Sequence, residues 1–478
     1  MTYTIQQNKT QENSCKVSYH RPFEKCFISN VIVTMFLYSL CSSSKPFENY
    51  NILGKNTQPN LFPFLTGHNM ESFPNFFINK KPGQIENYNQ TGDDLPILFY
   101  NFKKAGYTTV FYEDLPKYAL FNFLTFGFRK SPADFYARPV VLSEAYKYLS
   151  QITESGKDLC VGSKSKIENM LEDWGSKLFS GKKANNKPPI FSFLYTSEYS
   201  HTDLNQASLL DQPLLNYYKN MLKNDDNTIF ILFSDHGFRV GGLFSDTIQG
   251  KFEHMLPLFR ISFPNKFIEE FPEAYENFKI NRKGVTTPAD IYASLVHLLD
   301  LRPDGEKGIQ EGVGDRGSGL SLFDSPKMSS KSNCKVAKVP LSLCGVADWT
   351  PFIRPKDPSQ KESIVNLFPK KHPNNSQDTE LFKNLSQNIF QTKLANICIK
   401  KINDRATEQN TNLCENWTFK SIEMGFYTKI VDSLVIKLSI SVNPVKSFGK
   451  FDCALEVKDM NDFDQIEVID LIRTSKYG

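Results

Sequence analysis

The chain reads as an α/β protein, a largely parallel central sheet covered by helices, followed by a small antiparallel carboxyl-terminal subdomain. Three observations predict this. From about residue 95, short continuous apolar runs alternate with polar helical stretches, the pattern of strands covered on both faces. Near the carboxyl end the apolar period shortens to two, as in a sheet with one wet face. An apolar share of 40% and a charged share of 23% over 478 residues exclude a disordered or fibrous chain and leave ample length for a core.

Strands are expected at 97–100, 108–112, 190–195, 228–233 and 256–263, all rich in Phe, Ile and Leu. Helices are expected at 143–151, 165–178, 209–222 and 288–301. In the last, Ile291, Leu295, Val296 and Leu299 recur at helical spacing. Residues 302–333 and 354–379 turn to Gly, Ser, Asp, Lys and Pro, and read as linkers or surface excursions. Beyond them, 434–442 and 451–457 alternate as antiparallel strands do. The expected division is a leader or unrelated segment (1–44), an α/β domain (45–323) and a Cys-containing carboxyl-terminal region (324–478).

Fifty-six basic against 52 acidic residues give a net charge of +4, too balanced for nucleic acid to be the partner of the whole protein. Residues 27–41 are mostly apolar, follow Arg21 and Lys25, and precede Ser42, Ser43 and Ser44, which is the make-up of a secretory leader. The run is shorter than the roughly 20 residues that span a bilayer, so no stable membrane span is expected. The alternatives are a buried first strand and a membrane anchor. Six of nine cysteines lie beyond it, at 160, 334, 344, 398, 414 and 453, an even number compatible with disulfides. No C-x-x-C pair suggests structural zinc. Sequons begin at Asn8, Asn89, Asn374, Asn384 and Asn416. Together these predict an extracellular, secreted glycoprotein.

Two segments carry chemistry. In Phe230-Ile-Leu-Phe-Ser-Asp235-His236-Gly237 an apolar strand runs straight into a carboxylate and an imidazole. Functional groups collect at such strand ends, and this pair can ligate one divalent metal; the plainer reading is a strand-ending turn capped by Asp. In Asn56-Thr57-Gln-Pro59-Asn60, a Thr hydroxyl sits before a helix. A metal on its oxygen would activate it as a nucleophile, and the helix amides would favour a phosphate or sulfate; alternatively Thr57 only caps the helix.

Together these segments resemble the alkaline phosphatase and sulfatase superfamily. Sulfatases carry C-x-P-S-R-x-x-x-L-T-G, and Thr57 to Gly67 keeps that spacing with Thr57 at the nucleophile position, as in the phosphodiesterase and phosphoglycerol-transferase branches. Closer still is the family called domain of unknown function 229. It shares G-x-N-T-x-P-N-x-x-P-x-L-T-G (Gly54 to Gly67), Y-E-D (Tyr112, Glu113, Asp114), P-x-D-x-Y-x-R-P (Pro132 to Pro139) and S-D-H-G-x-R (Ser234 to Arg239). Q-G-K-x-E (Gln249 to Glu253), T-P-A-D-I before Tyr292, Gly319 to Phe323 and a pair formed by Cys334 and Cys344 extend the match. The resemblance runs from about Tyr50 to Gly478.

It implies that Thr57, Asp235 and His236 ligate one divalent ion (zinc, calcium and manganese are not distinguished), with Thr57 as nucleophile. His201 would bind substrate or metal. Lys251, ahead of a strand, would contact the anion; a turn histidine and a solvated lysine are the plainer readings. The family also has an upstream strand ending in D-S-x-S-R, whose Asp is a ligand, whereas this chain has no Asp before Asp93. A site lacking that carboxylate binds metal and activates Thr57 less well. Two functions therefore compete: a metal-dependent phosphoester or sulfate-ester hydrolase or transferase, and a silent secreted binder of a partner or anionic glycan.

Overall fold

The computed structural model describes residues 45–47, 49–77, 90–143, 150–152, 158–161, 164–180, 188–201, 204–224, 227–239, 243–244, 247–301, 315–325, 333–353, 385, 387–408, 416–443, 449–459 and 462–473. The 27–41 segment, every sequon but Asn416 and most of the two linker stretches lie outside the described residues. Asn416 is exposed.

Strand β1 (Lys45–Pro46) leads through the Thr57 loop into helix α1 (Gln58–Thr66). Residues 97–100, expected as a strand, instead enter helix α2 (Leu98–Lys104). Its buried Leu98, Phe99 and Phe102 share one helical face, and a four-residue apolar run alone does not separate helix from strand. β2 (Thr108–Glu113), β3 (Phe135–Tyr136) and α3 (Arg138–Leu142) follow. Of the helix expected at 143–151, residues 144–149 lie outside the described residues and Ser150–Ile152 form strand β4, which with β5 (Asp158–Val161) and β6 (Lys164–Ser165) makes a small antiparallel sheet.

The helix expected at 165–178 is present as α4 (Lys166–Asn169), a π-wound stretch (Met170–Ser176) and α5 (Lys177–Ser180). Then come β7 (Ile190–Tyr195), α6 (Asp211–Asn224), β8 (Phe230–Phe233), α7 (Ile248–Met255) and β9 (Phe259–Ser262). Helices α8 (Asn265–Glu270), α9 (Pro272–Asn281) and α10 (Pro288–Asp300) complete this part.

The fold is mixed α/β, but its parallel sheet is smaller than expected. Among the described residues β2 pairs in parallel with β3 and with β7. β8 pairs antiparallel with β9, which pairs antiparallel with β1. The reason lies in the connection: Ser234 N–H donates to Leu258 O at 2.8 Å, so the chain returns beside the end it left, which yields an antiparallel neighbour. Phenylalanines join these layers. The Phe64 ring of α1 stacks on Phe233 at 4.6 Å and lies 6.1 Å from Phe193, so α1 lies against both β7 and β8.

The carboxyl-terminal part is larger than the two strands read from sequence. β10 (Thr350–Ile353) is followed by helix α11 (Asn388–Glu408) and by β11 (Thr418–Ile430), β12 (Ser433–Asn443), β13 (Gly449–Val457) and β14 (Ile466–Arg473). They form a five-stranded antiparallel sheet in that order. Register shifts near Phe419 and Ile422 break the alternation of β11, which hides it from a period-two reading. Cys334 bonds Cys344, and Cys398 of α11 bonds Cys453 of β13. One apolar cluster joins Ile52, Phe252 and Met255 to Trp349, Phe426 and Val435, so the two parts share a core. Among the described residues no helix is long and apolar enough to cross a membrane.

Candidate functional site

The loop that presents Thr57 is organised by Asn60. This buried amide accepts from the Leu53 and Gly54 N–H groups at 2.7 and 3.1 Å and donates to the Gly54 and Asn56 carbonyls, each at 2.8 Å. Four bonds from one side chain hold residues 53–56 against the first turn of α1. Thr57 stands at the helix start with φ −57° and ψ −51°, and its side chain makes no capping bond, so capping is not its task. The helix amides offer an anion less than expected. Pro59 has no N–H, and the Asn60 and Leu61 amides both donate to Thr57 O.

Two strand ends converge on this loop. Tyr195, the last residue of β7, donates its hydroxyl to Asp235 Oδ2 at 3.2 Å, and the Thr57 side chain lies beside the same phenol. Burial, then the Asp235 charge, push the phenol pKa well above its usual value, so Tyr195 stays protonated. His236 Nδ1 lies 2.8 Å from Gly237 O; as only an N–H can bond a carbonyl, that nitrogen is the donor, and Nε2 faces Asp235 Oδ2 at 3.5 Å.

Helix α7 closes the other side. Gly237 N–H donates to His254 O at 3.2 Å, and a Cβ on Gly237 would lie 2.1 Å from Glu253 O, which is why glycine follows the Asp–His pair. The His254 ring is 5.5 Å from that of His236, and its Nε2 meets Lys55 O at 3.1 Å. Burial, then His236, lower the His254 pKa to about 3, so it is neutral. Burial lifts neighbouring Glu253 to about 7.

Beyond α7 the carboxyl-terminal sheet takes over the basic residues. Lys251 pairs with Asp452 and Lys55 with Asp470. Lys251 is thus a helix residue, not a loop one, and is tied across the shared core. Between these pairs, the Lys437 ammonium lies 4.1 Å over the Trp349 ring and 3.3 Å from Met255 S.

The family model described as protein of unknown function (DUF229) matches residues 33–423, most of the chain. The chain belongs to the DUF229 family. No curated protein matches it. The DUF229 match begins within the 27–41 segment, earlier than the motifs at Tyr50 and beyond.

Several DUF229 motif residues have structural duties. Asp290 closes a capping box with Thr287 and accepts from Leu320 N–H at 2.8 Å. Asp114 accepts from the Ser197 and Glu198 amides at 3.0 and 3.2 Å, and Asp134 accepts from Thr109. His201 lies on the exposed turn after β7, its amide bonded to Ser197 O at 2.9 Å. Asp235 and His236 thus lie together with Tyr195 and His254, while Thr57 stands on the loop that Asn60 organises. Tyr195 had the same signal as Asp235: a polar group ending an apolar strand.

The pair of His236 Nε2 and Asp235 Oδ2, 3.5 Å apart, is of a donor type that a divalent cation accepts.

Proposed function

We propose that this DUF229 chain is a metal-dependent hydrolase or transferase of phosphate or sulfate esters, built on an alkaline phosphatase/sulfatase-like core, with Thr57 as nucleophile. The observation that supports the reading is the Asp235 carboxylate held by the Tyr195 hydroxyl at 3.2 Å with His236 Nε2 3.5 Å away, beside the loop that presents Thr57. Asp235, His236 and Thr57 would hold the ion. When bound, it supplies Lewis acidity to the hydroxyl and to the ester oxygens. Tyr195 aims the hydroxyl, so that Thr57 Oγ1 attacks the ester's phosphorus or sulfur. The ester P–O or S–O bond breaks, and the proton Thr57 gives up leaves with the departing alcohol. Water then cleaves the ester formed on Thr57 and restores its hydroxyl; an acceptor alcohol in its place gives transfer.

The test is metal content by mass spectrometry together with turnover of bis(4-nitrophenyl) phosphate, 4-nitrophenyl phosphate and 4-nitrophenyl sulfate. Support requires one bound divalent ion per chain and turnover that Thr57→Ala lowers more than about a thousandfold. Because the Thr57 side chain caps nothing, the same variant should keep its stability within about 0.5 kcal/mol. One observation favours a second reading, a silent binding protein on the same fold: Lys251 is already engaged by Asp452. No bound metal and no turnover of any ester would establish that reading.

We further infer secretion. The two disulfides and the exposed Asn416 sequon support it.

A further inference from the structure

We propose that the surface formed by residues 115–124 with α3 seats on an anionic lipid surface, so that the ester reaching Thr57 is carried by an amphiphile. This deepens the hydrolase reading and rests on it. Six of the twelve large apolar side chains exposed among the described residues fall between 118 and 142: Tyr118, Phe123, Leu124, Phe135, Val140 and Leu142. The two segments that hold them are joined where Arg138 of α3 bonds Pro116 O, and contiguous apolar surface marks a contact site where single exposed residues do not. Leu124 is 54% exposed and holds a φ of 56°, a left-handed backbone that a bulky side chain rarely adopts. The strained backbone therefore displays a leucine to the outside.

The surface adjoins the nucleophile. Gln58, next to Thr57, donates its amide to Phe123 O at 2.6 Å and to Leu120 O at 3.3 Å. The Tyr118 and Phe123 rings meet at 5.3 Å. Charge adds the second half of the argument. Residues 115–142 hold Lys117, Arg129, Lys130 and Arg138 against the single acid Asp134, and Lys103 neutralises that acid. Nearby Asp93 is occupied by the Arg129 and Lys130 amides. The Lys117 ammonium lies 5.6 Å over the Tyr118 ring. Apolar tips with a basic surround match lipid acyl chains beneath anionic headgroups.

The experiment is co-sedimentation of the full chain with phosphatidylcholine vesicles, alone and with roughly a third phosphatidylserine. The proposal expects pelleting with the anionic vesicles, weakened about tenfold or more by Lys117→Glu with Leu124→Asn. Both positions are exposed and Asn tolerates the left-handed backbone, so folding is retained; Thr57→Ala should bind like the parent. No pelleting above background, or pelleting that these substitutions leave unchanged, overturns it. A concentration-dependent dimer in light scattering, abolished by Phe123→Ser, also overturns it, because a second copy would then cover the face. Binding without ester turnover refutes the hydrolase reading and leaves the surface; turnover of soluble esters without binding does the reverse.

Discussion

At the scale of single residues, Tyr195 links the candidate nucleophile to the candidate ligand. It is not an ionisable participant at ordinary pH, because burial holds its proton; its contribution is to hold Thr57 and Asp235 in one geometry. Tyr195→Phe preserves the ring contacts with Phe193 and removes only the hydroxyl. The expected result is a fall in kcat of about ten- to a hundredfold with KM changed little, since aim rather than binding is lost. Steady-state kinetics on the ester that the parent turns over would decide it, and an equal loss in both parameters would show that the phenol serves binding instead. The DHG tripeptide was legible as a strand-end feature. The strand ending at Tyr195 was legible as well, but nothing in a linear reading marks that its hydroxyl meets another strand's carboxylate.

At the scale of elements, the Thr57 loop depends on Asn60 more than on helix propensity. Four hydrogen bonds to backbone groups within seven residues leave two donors and two acceptors unmatched when the amide is removed. Asn60→Ala should therefore cost about 2–4 kcal/mol in denaturant unfolding. It should also reduce turnover, because Asn56 and Thr57 lose their anchor. A stability change within about 0.5 kcal/mol would mean the loop is held by other contacts. The element readings that failed have local causes. The apolar run at 97–100 is too short to show a period, and its helical face emerges only with Phe102. β11 loses its alternation at its bulges. By contrast α10 was readable, since its apolar stripe follows a capping box and Pro288.

At the scale of the molecule, the carboxyl-terminal sheet meets the site through a charged seam of Lys55, Lys251, Lys437, Asp452 and Asp470. Burial, opposed by Asp470 and joined by Lys251, depresses the Lys437 pKa from 10.5 to about 7. The folded state thus binds fewer protons than the unfolded chain between about pH 7 and 10.5. Lys437 makes stability rise with pH across that window, and its full penalty is felt below it. Lys437→Met, which keeps the contact volume, should stabilise the protein by about 1–3 kcal/mol at pH 6 and by much less at pH 9. Urea midpoints of parent and variant at both pH values provide the check; an equal gain at each pH would show that packing, not charge, is responsible.

What the sequence determined by itself is local and compositional: strands and helices with a strong period, the two chemistry-bearing segments, and the family motifs in their order. Only the tertiary structure decided that β8 lies antiparallel to β9, that Lys251 faces an aspartate 201 positions away, and that the Tyr195 hydroxyl meets Asp235. The physical reason is one of range. Periodicity and turn chemistry act over a few residues and are written along the chain. Strand order, ion pairing across a seam and the meeting of strand ends depend on which distant surfaces bury each other, and that is settled by packing in three dimensions.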